Sequence, residues 1–320
     1  MKVAVLAGGV GAARLLAGMV RRLDERSLTA VVNTGDDLVL HGLTICPDLD
    51  TITYTLGRAN DTERGWGLAG ETWHAVDALE RFTAVRPAGS GAAATWFRLG
   101  DRDLATHLYR THRLAEGATL TEVTDEVRRA YGAPARLVPM ADDAAPTEVS
   151  IVGEGWVSFQ TYFVGRRHSV PVDGVRFGAD TRGARVSAGA LAALDDADVI
   201  VIAPSNPVVS LGPLLAFESI RHLLESRRDR VVAVSPIVGG AAIKGPADRM
   251  LTELGHESSV VGVARLYAPI AATLVIDEID HALAARVDAA GLRAVVTDTV
   301  MRDAERAAAL SDVVLGAVPA

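Results

Sequence analysis

The stretch from Val3 to Leu23 limits the fold more than any other part of the chain. Val3–Leu6 is a short apolar run that stops at glycines, and beyond them Leu15, Leu16, Met19, Val20 and Leu23 fall on one helical face. A run without polar alternation suits a strand covered on both faces, as in a parallel sheet. Thr29–Val32 reads as a second such strand, so the chain opens with a βαβ unit whose ligand loops leave the carboxyl ends of its strands. Val199–Ala203, Val231–Val234, Leu274–Ile276 and Ala294–Val296 repeat the pattern at spacings long enough for crossover helices. The expectation is an α/β fold with a doubly wound, mostly parallel, Rossmann-like sheet.

The middle of the chain departs from this rhythm. Asp101–Ala115 reads as a helix, with Leu104, Leu108 and Leu114 among its apolar positions and Asp101 as its cap. Thr119 followed by Glu122 is a capping box opening a second helix towards Tyr131. Val149–Val152 and Trp156–Val164, joined through Gly153-Glu154-Gly155, read as a β-hairpin. Residues 1–320 are therefore expected to form a single domain in which roughly 100–190 is an inserted lobe or lid.

Composition removes several function classes. The formal charge of −8, from 32 basic and 40 acidic residues, and the scatter of the basic ones argue against a nucleic-acid surface. Aromatic residues are 5% of the chain, which argues against a base-stacking platform. Cys46 is the sole cysteine, so neither a disulfide framework nor a cysteine-based zinc knuckle is available. Arg14 and the glycines interrupt the first apolar run, unlike a signal peptide, and nothing later offers the roughly 18 apolar residues of a membrane span. A cytoplasmic location is expected, with no membrane partner.

Two short stretches carry chemistry. In Leu6-Ala7-Gly8-Gly9-Val10-Gly11-Ala12-Ala13-Arg14, glycines between strand and helix let backbone N–H groups approach an anion at a helix N-terminus. Arg14 stands where a dinucleotide fingerprint needs Gly or Ala, and no Walker A pattern is present. After the second strand come Asn33-Thr34-Gly35-Asp36-Asp37, then His41-Gly42, then Pro47-Asp48-Leu49-Asp50. Four carboxylates in one loop either form a solvated acidic turn or want a cation, and hard oxygen ligands next to a phosphate-type loop suit Mg²⁺. Arg98, the Ser205-Asn206-Pro207 loop and Lys244 are further candidates for anionic groups. His107 and His112, five apart, make a poor metal pair.

Together, GGVGAAR, NTGDD, CPDLDT, the Trp66–Trp73 region, FRLGDRD, APSNPVVSLGP and SPIVGG closely resemble the 2-phospho-L-lactate transferases (CofD-like), collinearly over nearly the whole chain. That family builds coenzyme F-420. The resemblance implies an enzyme that moves a phosphorylated three-carbon acid from a guanylylated donor to the ribityl hydroxyl of the deazaflavin Fo, releasing GMP. It implies Mg²⁺ at Asp36, Asp37 and Asp48, Fo contacts from Asp50 and Arg98, and Asp36 or Asp50 acting on the hydroxyl. Nucleotide and phosphate contacts would come from Gly8, Gly9, Gly11, Arg14, Asn33, Ser205, Asn206, Pro207 and Lys244. Ala12 and Ala13 depart from the family, which often has another glycine after the position of Gly11. A homodimer is the expectation for such an enzyme. The rival readings are a UDP-sugar-binding regulator of the same fold and a sugar nucleotidyltransferase. The identity of the donated acid (lactyl, enolpyruvyl or glyceryl) is left open by these residues.

Overall fold

A computed structural model describes residues 1–318. At its centre lies a seven-stranded, all-parallel sheet. In spatial order its strands are Arg293–Thr297, Thr273–Asp277, Val231–Val234, Val199–Ile202, Val3–Ala7, Leu28–Val32 and Arg136–Pro139. Every residue of Val3–Ala7, Val199–Ile202 and Val231–Val234 is buried. Ala4, Leu6, Ile200 and Ile202 join one apolar layer, while Val3, Val5, Ala7, Val199 and Val201 join the other. Helices therefore cover both faces, and the unbroken apolar runs have that cause.

The chain order runs outward from Val3–Ala7 in one direction for the first three strands and in the other for the last four. The reversal falls between Val3–Ala7 and Val199–Ile202. At such a switch point the loops leaving adjacent strands diverge, and a crevice opens at their carboxyl ends. The doubly wound fold expected from the sequence is the one found.

Five helices matter below: α1 (Gly9–Met19), α2 (Pro47–Leu56), α3 (His74–Leu79), α4 (Asp103–Ala115) and α5 (Leu120–Ala130). The capping box at Thr119 opens α5 as expected, with Glu122 N–H donating to Thr119 Oγ1 and Thr119 N–H to Glu122. α1 lies against the last helix, Ala304–Gly316, closely enough that a Cβ on Gly18 would stand 2.2 Å from the Ala307 carbonyl oxygen.

Within 100–190, Arg136–Pro139 belongs to the central sheet as its edge strand. A separate three-stranded sheet is built from Gly155–Ser158, Thr147–Ile151 and Val172–Phe177, all antiparallel. The expected hairpin is present, but its second strand stops at Ser158 and Thr161–Gly165 coils into a wide helical turn. That turn buries Tyr162 with Phe159, Val149 and Met250 in a small core of its own, so burial, not strand pairing, fixes those aromatic residues. Among the described residues no helix is long and apolar enough to cross a membrane.

Replacing Gly18 by Ala should lower stability by about 2 kcal/mol in denaturant titration, because the helix pair must separate. Gly316→Ala in the same helix pair, where a Cβ meets nothing within 4 Å, should be neutral or stabilising.

Candidate active site

The glycine loop and the loop after Val199–Ile202 lie against each other at the carboxyl ends of their strands. Gly9 has φ +70°, a left-handed conformation that disfavours side chains. Gly8 and Gly11 are small for a different reason: a Cβ on Gly8 would lie 2.9 Å from Asp48 Oδ2, and one on Gly11 2.2 Å from the Pro204 carbonyl oxygen. Ser205 Oγ donates to the Gly8 carbonyl at 2.7 Å, fastening the two loops. Asn206 Oδ1 accepts from Val208 N–H at 2.9 Å and shapes the turn that contains Pro207. The N-cap residue of α1, Gly8, has no side chain to cap it, and the Gly9 N–H at its start is directed to the carboxylate of Asp48.

A short hairpin brings the acidic residues to this place. Leu38–Leu40 pairs antiparallel with Leu43–Ile45, and His41 and Gly42, both at positive φ, make its two-residue turn. His41 is exposed and far along the hairpin from the acidic ends. Folding back in this way sets Asp37 beside Cys46 and starts α2, with Pro47 in its first turn and Asp48 and Asp50 favourably placed at its N-terminus.

Asp36, Asp48 and Asp50 are buried, which excludes a solvated acidic turn. The fully buried Asn33 amide donates to Asp36 Oδ1 at 3.0 Å and Asp48 Oδ2 at 2.9 Å, while its oxygen accepts from Gly35 N–H at 2.8 Å. Burial raises the Asp48 carboxyl to about 6, against the Asn33 and Gly9 donors. Burial, then the charge of Asp48, raises Asp36 well above the usual range. Burial also raises Asp37, which is held against Cys46 and towards Arg110. Thr34 Oγ1, Asp37 Oδ1 and Thr147 Oγ1 are buried near this point without a partner.

Two carboxylates with one amide between them and no paired side-chain cation fit a small divalent cation that prefers oxygen ligands. Asp36 and Asp48 meet that description. Asp37, expected beside them as a ligand, is turned to Cys46. A second acidic group, Asp50 with Asp103 and His107, also brings three ligand-type atoms within 4.8 Å of one another. There the compensating charge is already present in a protein side chain. The guanidinium of Arg110 donates from Nη2 to Asp50 Oδ1 and from Nη1 to Oδ2 at 3.1 Å. That second group fits a cation less well than Asp36 and Asp48 do.

Arg98 does not reach Asp50. It pairs with Asp77 at 2.8 Å and lies over the Trp73 ring, its guanidinium carbon 5.2 Å from the ring centroid. Arg64 lies over both Trp66 and Trp73, at 4.7 and 5.2 Å, and the two rings are 5.8 Å apart. Lys244 is exposed, and its Nζ lies 2.8 Å from where a Cβ on Gly65 would stand, beside the same loop. Arg14 is exposed and directed at the Met301 carbonyl, away from the acidic pair. Asp101 caps α3, accepting from His74 and Ala75 N–H, instead of the α4 that follows it. The cap of α4 is Glu71, whose carboxylate accepts from Arg102 and Asp103 N–H at 2.8 and 2.9 Å.

Sequence reasoning gives Arg110 and Tyr54 no role, weighs His107 only as a poor partner of His112, and names Asp103 and the Trp66–Trp73 region as motif residues without the contacts that join them to Arg110, Arg64 and Arg98. The spacing of Asp103, His107 and Arg110 (i, i+4, i+7) is a polar stripe on one helical face, and that was the available signal. Three of the four tryptophans fall between residues 66 and 96, a concentration that an average over the chain conceals.

A family model described as 2-phospho-L-lactate transferase CofD matches residues 3–314. The chain is 40% identical over 316 residues to a phosphoenolpyruvate transferase of Streptomyces griseus, covering 97% of this chain and 96% of that protein. It is 42% identical over 296 residues to a phosphoenolpyruvate transferase of Mycobacterium tuberculosis, covering 87% and 86%. Among solved structures, a Bacillus halodurans protein of the UPF0052 family superposes with a TM-score of 0.60 at 15% identity, over 98% of each chain. At that identity the likeness concerns the fold alone.

The raised Asp48 carboxyl has a stability consequence whose sign follows from linkage. The folded chain holds this proton more tightly than the unfolded chain, so the contribution is present in acid and is lost as pH rises through about 6. With a chelator present, Asp48→Asn should be more stable than the unsubstituted protein at about pH 7.5, by about 3 kcal/mol. The gap should shrink as pH falls through about 6 and close only below about pH 4. Thermal melts of the two proteins across that range measure it.

Proposed function

The chain belongs to the CofD family and is a phosphoacid transferase of coenzyme F-420 biosynthesis, and from that premise we propose that it transfers a phosphoenolpyruvyl group from a guanylylated diphospho donor to the terminal ribityl hydroxyl of the deazaflavin Fo. GMP is the leaving group. The observation that carries this reading is the buried Asp36–Asp48 pair set directly against Gly8 and Gly9 at the switch point. The choice of enolpyruvyl over lactyl or glyceryl rests on the phosphoenolpyruvate transferases at 40 and 42% identity.

In this reading the diphosphate lies across the crevice, between the amides of the Gly8–Gly11 loop and the turn at Ser205-Asn206-Pro207. Asp36 and Asp48, held by Asn33, would bind the magnesium ion, which when bound neutralises the diphosphate and the departing GMP. The ribityl hydroxyl oxygen forms a bond to the phosphorus that carries the acid. The bond from that phosphorus to the bridging oxygen breaks, its electron pair leaving with GMP, and the hydroxyl proton is released. Positioning and charge neutralisation supply most of what such a displacement requires.

The tryptophan–arginine surface suits the acceptor. Fo presents a planar aromatic ring, and Trp73 and Trp66, flanked by Arg64 and Arg98, offer stacking and cation–π partners near the loop that meets Lys244. Asp50 would accept from the hydroxyl end of the same molecule.

Incubation of the protein with Fo, Mg²⁺ and each guanylylated acid in turn, read by mass spectrometry, tests the reading. The enolpyruvyl donor should give the phosphodiester and GMP fastest. Absence of product with every donor, together with binding of a UDP-sugar but not of Fo, would make the chain a regulator of the same fold instead. Trp73→Ala should weaken Fo binding roughly tenfold, about the loss of one stacked partner, with little change in donor KM; Fo fluorescence titration reads the first and steady-state kinetics the second.

A further inference from the structure

The inner face of α4 is polar. Thr106, His107 and Arg110 are buried there, while Leu108 and Tyr109 of the same helix are 58% and 46% exposed. Leu104 and Leu114 pack on apolar cores towards the two ends of the helix, but between them the arrangement that stabilises an amphipathic helix is reversed. A buried guanidinium–carboxylate pair is no more stabilising than apolar side chains of the same volume, so packing alone does not account for it.

The side chains on that face touch one another in sequence. Arg110 grips both oxygens of Asp50, and its Nη1 also lies 3.3 Å from His107 Nδ1. A guanidinium only donates, so in this contact Nδ1 is the acceptor; the same Nη1 also reaches the Thr44 carbonyl at 3.4 Å. The other ring nitrogen, Nε2, lies 3.2 Å from Asp103 Oδ2 without a hydrogen bond to it. Tyr54 Oη donates to Asp103 Oδ1 at 2.6 Å. Burial would raise Asp103, but His107, Tyr54 and Arg110 together hold its carboxyl below the usual range. Tyr54 stands one turn beyond Asp50 on α2, so the chain starts and ends on one helix and passes through the other. Asp50 is thereby fixed in position and in rotation.

We infer that Arg110, backed by His107, Asp103 and Tyr54, is a positioning residue that locks the Asp50 carboxylate for the acceptor hydroxyl. Each oxygen of Asp50 keeps a free lone pair after Arg110 is satisfied, enough to align an incoming O–H. Arg110 itself touches no substrate in this scheme. The fork shape matters: a lysine would keep the charge but hold one point only. The inference rests on the transfer to Fo proposed above.

Arg110→Lys tests it in the full chain, with Fo, Mg²⁺ and the enolpyruvyl donor. The expected result is a fall in kcat of about 10- to 100-fold, the usual consequence of loosening a supporting contact, with donor KM within about twofold and a Tm within a few degrees of the unsubstituted protein. Activity of Arg110→Lys within about twofold of the unsubstituted protein would overturn the inference. A matching loss of donor affinity and Tm would also overturn it, by making the network a brace between helices. If Arg110→Lys does not fold, His107→Gln carries the test, because it removes the backing and leaves the Asp50–Arg110 pair intact; a several-fold fall in kcat supports the inference and an unchanged kcat overturns it. An unsubstituted protein that neither binds Fo nor forms product fails the transferase reading itself, and the inference falls with it. A protein that transfers, with variants that behave as the unsubstituted chain, fails the inference alone.

Discussion

The amide of Asn33 serves two buried carboxylates, and it has only two N–H groups to give. Asp36 and Asp48 therefore receive one donor each from it, together offering many more lone pairs than the protein satisfies. Several local features exist to bring about this shortage. The His41-Gly42 turn folds the acidic segment back on itself, Pro47 starts α2 so that its N-terminus eases the negative charge, and Gly8 leaves room for a carboxylate where a side chain would stand. The crevice at the strand reversal then admits a ligand to the same spot. A site left short of positive charge is well prepared for a substrate that arrives with a metal ion and phosphates.

The four aspartates of Asp36–Asp50 divide into two electrostatic settings within one short segment. Asp36 and Asp48 have no protein cation. Asp50, one helical half-turn beyond Asp48, is given the best one available, a bidentate guanidinium. Asp37 lies between, against a thiol. Residue type alone treats these positions as equals; the difference is made by α4, more than fifty positions along the chain.

Legibility in the sequence followed the range of the interactions involved. Six of the seven parallel strands and α1 are legible because a strand covered by helices is an unbroken apolar run, a property each displays by itself; the seventh, Arg136–Pro139, begins with an arginine, ends in a proline and lies within the stretch expected as an inserted lobe. The glycine loop was readable for a similar reason, since strand, glycines and helix are contiguous. The cap of α5 was written in two residues three apart. In contrast, the cap of α4 is Glu71, about thirty positions away, and no local rule finds it; Asp101, the nearer candidate, serves α3. Leu108 looked like core because leucine usually is, yet the polar stripe of His107 and Arg110 took the inside. Arg98 was matched with Asp50 by the family resemblance, whereas its side chain meets Asp77. The three-stranded sheet after residue 147 was read as a hairpin because its third strand, Val172–Phe177, contains Asp173 and Gly174 and carries a broken pattern.

Glu71 and Asp101 close the base of the excursion between α2 and α4 in both directions, each capping the helix that begins beside the other. Gly100 is part of the closure, since a Cβ there would collide with the Glu71 carboxylate. A loop fastened in this way is nearly independent of what lies inside it, because the entropy of closing it grows only slowly with length. Within residues 73–100, Leu99 and its neighbours Ala94 and Phe97 are tied to the hairpin and to Leu104 of α4, so freedom to lengthen belongs to the exposed stretch about Arg86–Gly91, while the register of α4, and with it Arg110, stays fixed. Length changes there would leave the machinery beneath undisturbed, whereas changes at Phe97 or Leu99 would reach it through the shared core.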